Sequence, residues 1–324
     1  MAVPVGGSLE LGERQRAFLL VVGTGLLWGT IGVASKLVYE TTTLDAVSLN
    51  WLRTLVASVA CLAIAGPGLT RGLRRSSRRD LALMVLLGIV LIVYQWCYLA
   101  AIDRLGVAVA TLIALCVPPA LVALVSALFL GEALTRTLVL ALSGSLLGTA
   151  LLVGAPTPVA GAGSEAVLIG VLLALGSAVG IAAHALGSRR IAGRHDALLP
   201  LAVAFPAGAV AFAPVALGRG FSLDQPLAGW LLVVYLGVVP SAIAYAMYQR
   251  GLRHLPASTA TVVTLIEPLT AAVLAWAMFG ERLTPLGMLG GVLLLASIVV
   301  LSRRSPQEAG SRTAEEVAVA DGGL

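Results

Sequence analysis

Long apolar runs alternate with short polar breaks over almost the whole chain, and most runs have the length of a bilayer-spanning helix. A hydrocarbon core about 30 Å thick is crossed by roughly 20 helical residues. On that scale the pattern predicts spans at about 17–38, 45–65, 81–101, 107–129, 136–154, 167–187, 198–218, 227–249, 257–279 and 285–302. Three connections are longer: PGLTRGLRRSSRRD, APTPVAGAGSE and the polar segment from Arg303. The last, 303–324, has no apolar period and reads as a disordered tail. No segment has the makeup of a soluble catalytic domain. The predicted fold class is an all-α integral membrane protein with ten transmembrane helices.

Two runs carry the same interruption. Ala257 to Thr284 reads ASTATVVTLIEPLTAAVLAWAMFGERLT, with Glu267 and Pro268 near its middle. Val107 to Thr135 reads VAVATLIALCVPPALVALVSALFLGEALT, with Pro118 and Pro119 there. Each proline lacks an N–H, so the carbonyl four residues earlier (that of Thr264 for Pro268) loses its helical donor. These prolines are the predicted helix breaks. A carboxylate at the same depth points to a polar interior rather than lipid. Setting Gly131-Glu132 on Gly280-Glu281 puts Pro119 on Pro268 and Pro118 on Glu267.

Composition agrees with the pattern. Hydrophobic residues make up 59% of the chain and charged residues 11%, against about 25% charged in soluble domains. The net charge of +5 is not gathered on a basic, aromatic-interleaved face, which argues against nucleic acid. Arginine placement sets the orientation. Segments on the N-terminal side of the membrane carry Arg14, Arg16, Arg71, Arg74, Arg75, Arg78, Arg79, Arg136, Arg189, Arg190, Arg194, Arg250, Arg253, Arg303, Arg304 and Arg312. The opposite side carries Arg104, Arg219 and Arg282. That bias predicts both termini in the cytoplasm and an even number of spans. Ten spans then divide into two five-span halves of opposite orientation, 17–154 and 167–302. They are flanked by a cytoplasmic segment at 1–16, a linker at 155–166 and the tail. The halves also echo at Leu87-Gly88 with Leu236-Gly237, AIDRLGVAVAT with GLRHLPASTAT, and WGTIGVASK with GSAVGIAAH, while spans two and seven show no match. Inverted repeats of this kind are typical of secondary transporters, whose site lies near the midplane.

The chemistry-bearing residues each have a functional and a structural reading. Glu267 is either a substrate or proton site, or a protonated acid tying the break to a neighbouring helix. Arg53, roughly 12 Å into its span, either binds a solute carboxylate or pairs internally. Lys36, near a span end, either reaches the headgroups or contacts solute, and His184 is either a solute or coupling group or, the better reading, a satisfied core histidine. Tyr94, Gln95, Trp96 and Tyr98 in span three, with Tyr245, Tyr248 and Gln249 in span eight, are either interfacial aromatics and amides or the lining of a cavity. Glu132 and Glu281 read as solvated acids in surface turns, with Thr135 and Thr284 capping the helices that follow. Gly25/Gly29, Gly144/Gly148 and Gly287/Gly291 suit close helix contact, within one chain or, for the last two pairs, in a dimer. Cys61, Cys97 and Cys116 read as core residues, with neither disulfide nor metal site indicated. The lone lysine, Lys36, sits between Ser35 and Leu37, so no P-loop exists, and no HExxH motif is present. No cofactor is called for.

Trp28-Gly29, Lys36, Arg53 and the doubled Pro-then-Gly-Glu pattern resemble the EamA-domain members of the drug/metabolite transporter superfamily. The resemblance runs from about residue 17 to 302. It implies a ten-helix carrier whose cavity is formed mainly by helices 1, 3, 4, 6, 8 and 9, with 5 and 10 peripheral. It also implies a small amino acid or related metabolite as solute, moved outward, and no enzymatic activity. The expected protein is thus a multi-pass carrier of the bacterial cytoplasmic membrane. It would work by alternating access, as a monomer or homodimer, with or without protons. A drug efflux carrier of the same fold and a non-transporting scaffold are the alternatives.

Overall fold

The computed structural model describes residues 6–105, 107–130, 132–153, 164–220, 222–279 and 284–302. Among them only helices occur as regular structure: α1 Gly6–Thr41, α2 Ala46–Arg75, α3 Arg78–Leu105, α4 Val107–Phe129, α5 Arg136–Val153, α6 Ser164–Ala192 and α7 Leu198–Arg219. They continue with α8 Leu227–Leu236, a π-helical segment Gly237–Ile243, α9 Ala244–Gly251, α10 Ala257–Thr264, α11 Ile266–Phe279 and α12 Pro285–Ser302. Seven helical stretches among the described residues are long and apolar enough to cross a membrane, and Ile113–Phe129, Arg136–Leu152 and Pro285–Leu301 are shorter apolar helices. Large apolar side chains point outward along them, including Leu140 and Leu147 on α5, Leu168 and Leu172 on α6, and Leu289 and Val292 on α12. A surface this apolar is stable only against lipid. The chain is a multi-pass integral membrane protein.

Several boundaries differ from the expected ones. The PGLTRGLRRSSRRD stretch is not a loop, because α2 runs on to Arg75 and α3 starts at Arg78. The bend between span and extension falls at Gly66, whose φ of 44° and ψ of −136° are accessible to glycine. Beyond it Leu69 and Leu73 pack into the core while Arg71, Arg74 and Arg75 stay exposed. That amphipathic turn is why the helix persists past the apolar run. Span eight is not one α-helix: Pro240 cannot donate to the Leu236 carbonyl, the Ser241 hydroxyl donates to it instead at 2.8 Å, and the backbone widens into a π turn. The predicted break at Pro268 is present, with α10 ending at Thr264 and α11 starting at Ile266. The one predicted at Pro118 and Pro119 is not: α4 is helical throughout. The predicted caps are in place, Thr135 Oγ1 accepting from the Leu138 N–H and Thr284 Oγ1 from the Gly287 N–H. The Gly280-Glu281 turn, most of the linker and the tail from 303 lie outside the described residues.

Packing is built from cross-chain pairs. α3 lies along α6 and α7, α2 along α7 and the π segment, α4 along α6, and α1 along α9, α10 and α11. α5 and α12 pack on each other through Gly148 and Gly290, where an added Cβ on either would strike the other helix's backbone. The glycine contacts of α5 are thus used within the chain. Polar ties close both ends of the bundle. Asp45 pairs with Arg219 at 3.5 Å, and Asp80 pairs with Arg194 at 3.3 Å and His195 at 3.0 Å.

Candidate functional site: a charged and aromatic cavity at mid-depth

The helices enclose a cavity of about 180 Å³ lined by α1, α2, α3, α4, α6, the π segment with α9, and the α10–α11 break. Its polarity comes from three sources: side chains, freed backbone groups, and aromatic faces.

Arg53 is 9% exposed. Its Nε donates to Asn50 Oδ1 at 3.0 Å, one turn earlier on α2, and its Nη2 donates to Gln95 Oε1 on α3. Two neutral amides therefore aim the guanidinium, and among the described residues its other N–H groups have no protein acceptor. Gly237 lets the π segment approach α2 at this level, since a Cβ there would lie 2.8 Å from the Arg53 carbonyl oxygen. Glu267, in the first turn of α11, lines the same cavity and makes no hydrogen bond or ion pair among the described residues. Arg53 and Glu267 are within electrostatic reach without pairing. One cation and one anion thus face a shared space, each with unused hydrogen-bonding capacity.

The aromatic wall is continuous. Tyr94 and Tyr245 share a 2.8 Å hydroxyl–hydroxyl hydrogen bond. The Trp28 ring lies 4.9 Å from Tyr245 and 5.5 Å from Tyr248, and its Nε1 donates to the Pro240 carbonyl at 3.0 Å. His184 stands edge-on to Tyr245 and Tyr94, at 5.7 and 6.2 Å between ring centres. Its ring nitrogens have no hydrogen-bond partner among the described residues. Prolines 118, 119, 240 and 268 all line the cavity. Those at 118, 119 and 268 leave the carbonyls of Ala114, Leu115 and Thr264, three lining residues, without an i+4 helical donor.

Of the residues singled out from the sequence, Glu267, Arg53, Gln95, Tyr94, Tyr245, His184, Pro118, Pro119 and Pro268 converge here. Two do not. Trp96 turns away to pack against Phe212 at 6.4 Å, and Lys36 is half-buried outside the lining. His184 is placed in the cavity rather than satisfied in the core. Asn50, Trp28 as a lining residue and Ser241 were not anticipated, whereas Tyr98 and Tyr248 line the cavity with Tyr94 and Tyr245. An asparagine three residues before an arginine in an apolar run, and a proline inside span eight, were the available signals. Glu132 is not a solvated surface acid: it accepts from the N–H groups of Ala257 and Ser258 at 3.1 and 3.4 Å and from the Ser258 hydroxyl at 2.6 Å.

Comparison with known proteins agrees with this layout. The model of the EamA-like transporter family matches residues 15–154 and again 168–303. A probable terminal-alkyne amino-acid exporter of Streptantibioticus cattleyicolor is 28% identical over 90% of this chain and 95% of its own length. The pseudopaline exporter CntI of Pseudomonas aeruginosa is 28% identical over 85% and 92%. The uncharacterized inner membrane transporter YicL of Salmonella typhimurium is 25% identical over 92% and 99%. A solved crystal structure, 23% identical, shares the fold with a TM-score of 0.73, covering 89% of this chain and 99% of that one. With both stretches matched, the chain belongs to the EamA-like transporter family.

Proposed function

We propose that the protein is a secondary carrier that exports small amino-acid-like zwitterions by alternating access between two inverted five-helix halves. The observation that carries this reading is that Arg53, from the first half, and Glu267, from the second, line one cavity without bonding to each other. A solute carboxylate would take the free N–H groups of Arg53, an ammonium would take Glu267, and an apolar side chain would lie against Trp28, Tyr94 and Tyr245. The volume of about 180 Å³ is below the roughly 300 Å³ at which pockets for drug-sized ligands begin, which favours a small metabolite over drug efflux. One relative is named a probable terminal-alkyne amino-acid exporter and another a pseudopaline exporter, which supports outward movement of a small metabolite.

The inverted repeat is supported by the way contacts exchange between halves. α3 against α6 mirrors α1 against α8, the π segment and α9; α4 against α6 mirrors α1 against α10 and α11. α2 with α7 and α5 with α12 each pair an element with its own counterpart, as a two-fold axis in the membrane plane requires. The arginine bias supports both termini lying in the cytoplasm, and the name of YicL, an inner membrane transporter, supports the cytoplasmic membrane. Glu267 is also the group on which a coupled proton would ride.

Counterflow of a panel of labelled amino acids into proteoliposomes tests the reading. Arg53→Gln and Glu267→Gln are each expected to lower uptake about 10- to 100-fold, the scale of a lost charge-assisted hydrogen bond. Glu267→Gln should also flatten the dependence of uptake on pH. Unchanged flux in both variants, or preference for bulky cations over amino acids, would sink the proposal.

A further inference from the structure

α10 begins without a cap of its own. Its N-cap residue is Pro256, which offers no side-chain acceptor, so the first N–H groups of the helix need a partner from elsewhere. That partner comes from the other half of the sequence. Glu132, just past the end of α4, places Oε1 3.1 Å from the Ala257 N–H and Oε2 2.6 Å from the Ser258 hydroxyl and 3.4 Å from its N–H. An anion at a helix N-terminus also meets the positive end of the helix dipole. The other end of α10 is the break at Leu265, where the N–H turns back to the Val262 carbonyl at 3.2 Å. α10 is therefore a rigid piece of eight residues, held at one end by an acid of the first half and hinged at the other directly before Glu267. Its inner face supplies Thr261 and Thr264 to the cavity wall.

We infer that Glu132 is a positioning residue that clamps α10 in the conformation seen here, and that its release lets α10 swing about Leu265 and open the cavity between α4 and α10. This rests on the carrier reading, since a swing of one wall matters only if the cavity changes sides. It assigns Glu132 a role in gating rather than in solvation.

The test uses the full chain in proteoliposomes with Cys61, Cys97 and Cys116 replaced by alanine and Thr261→Cys as reporter. The rate of modification by a water-soluble maleimide is read with no solute present. Glu132→Ala is expected to raise it about tenfold, the population change that follows loss of a cap worth roughly 1–2 kcal/mol. Glu132→Gln, which still accepts hydrogen bonds, should fall between Glu132→Ala and the parent. Ser258→Ala removes one donor and leaves both carboxylate oxygens, so it tests the clamp even if Glu132→Ala does not fold. It should raise the rate a few-fold. Equal rates in the parent, Glu132→Ala and Ser258→Ala would overturn the clamp. Counterflow of the parent, measured separately, reports on the carrier reading, so the two ideas fail by different readouts.

Discussion

The two Pro-bearing helices occupy matching positions in the two halves, yet they differ. α4 carries Pro118 and Pro119 and stays helical from Val107 to Phe129. The second-half counterpart carries a single proline, Pro268, and divides into α10 and α11 at Leu265. Proline count therefore does not decide where a helix breaks. What differs is the neighbour. α1 presses on the second-half break with Gly25 and Gly29: a Cβ at Gly29 would lie 2.8 Å from the Glu267 carbonyl oxygen, and one at Gly25 would lie 3.2 Å from the Thr264 carbonyl oxygen. Against α4 the neighbour is α6, whose glycines face α3 instead: a Cβ at Gly180 would strike Tyr94, and one at Gly176 would lie 4.0 Å from Cys97 Sγ. Freed carbonyls become a stable break where another backbone can come close to them; elsewhere the helix closes over its prolines.

The sharpest test of this contrast is glycine substitution. Gly29→Ala should destabilise the protein by about 1–3 kcal/mol through overpacking, read as thermal unfolding in detergent, and should lower flux in the same preparation. Gly176→Ala, with ordinary contact distance to its neighbour, should stay within about 0.5 kcal/mol. Equal effects would mean that the close approach of α1 is incidental.

A second test restores the missing donors. Pro268→Ala should let the Thr264 carbonyl find a helical partner, draw α10 and α11 together and reduce flux about tenfold by stiffening the hinge. Pro119→Ala adds a donor to a helix that is already continuous, so flux should change less than about threefold. A larger loss at Pro119 would place the moving break in the first half.

Side-chain lining gives a smaller effect. Tyr94→Phe removes the hydroxyl bonded to Tyr245 and should shift the solute KM by about two- to tenfold, the range for one neutral hydrogen bond. Trp96→Phe, against Phe212 and outside the lining, should leave KM unchanged within twofold.

The smallest effect belongs to the end ties. Partial burial alone would raise the Asp45 carboxyl above its ordinary range, but the Ser48 N–H and the Arg219 guanidinium outweigh it and hold the carboxyl below. Its lowered value means that its contribution is present above the unfolded carboxylate range and is lost as pH falls through the folded value, below about pH 4. Asp45→Asn should therefore flatten unfolding temperature against pH only in that acidic window. As an exposed pair it should matter little at neutral pH.

Much of this was written along the chain. The bilayer-length apolar runs, the acid beside Pro268 and the asymmetry of arginine placement are local or additive properties: lipid rewards apolar residues one at a time, penalises a carboxylate, and leaves the arginines in the loops. The break at Pro268 and the caps at Thr135 and Thr284 could be read from them, while Arg53, Gln95, Tyr94 and Tyr245 could be named but not assigned to a cavity rather than to an internal pair or an interfacial belt. Which side of a helix faces the cavity was harder, because a span apolar all round has no polar stripe to orient it. For that reason Trp96 and Gln95, adjacent in sequence, part company, and His184 turns inward.

Only the tertiary structure decided the rest. That Pro118 and Pro119 do not divide α4, that Pro240 and Ser241 build a π turn at the level of Arg53, and that Glu132 caps α10 from across the molecule all depend on which backbones approach each other. An unpaired carbonyl or N–H is created locally by proline or by a helix end. Its partner, where it finds one outside its own helix, is chosen by neighbours far along the chain, Arg253 for the Ala192 carbonyl and Glu132 for the Ala257 N–H, and no periodicity along one strand of sequence records that choice.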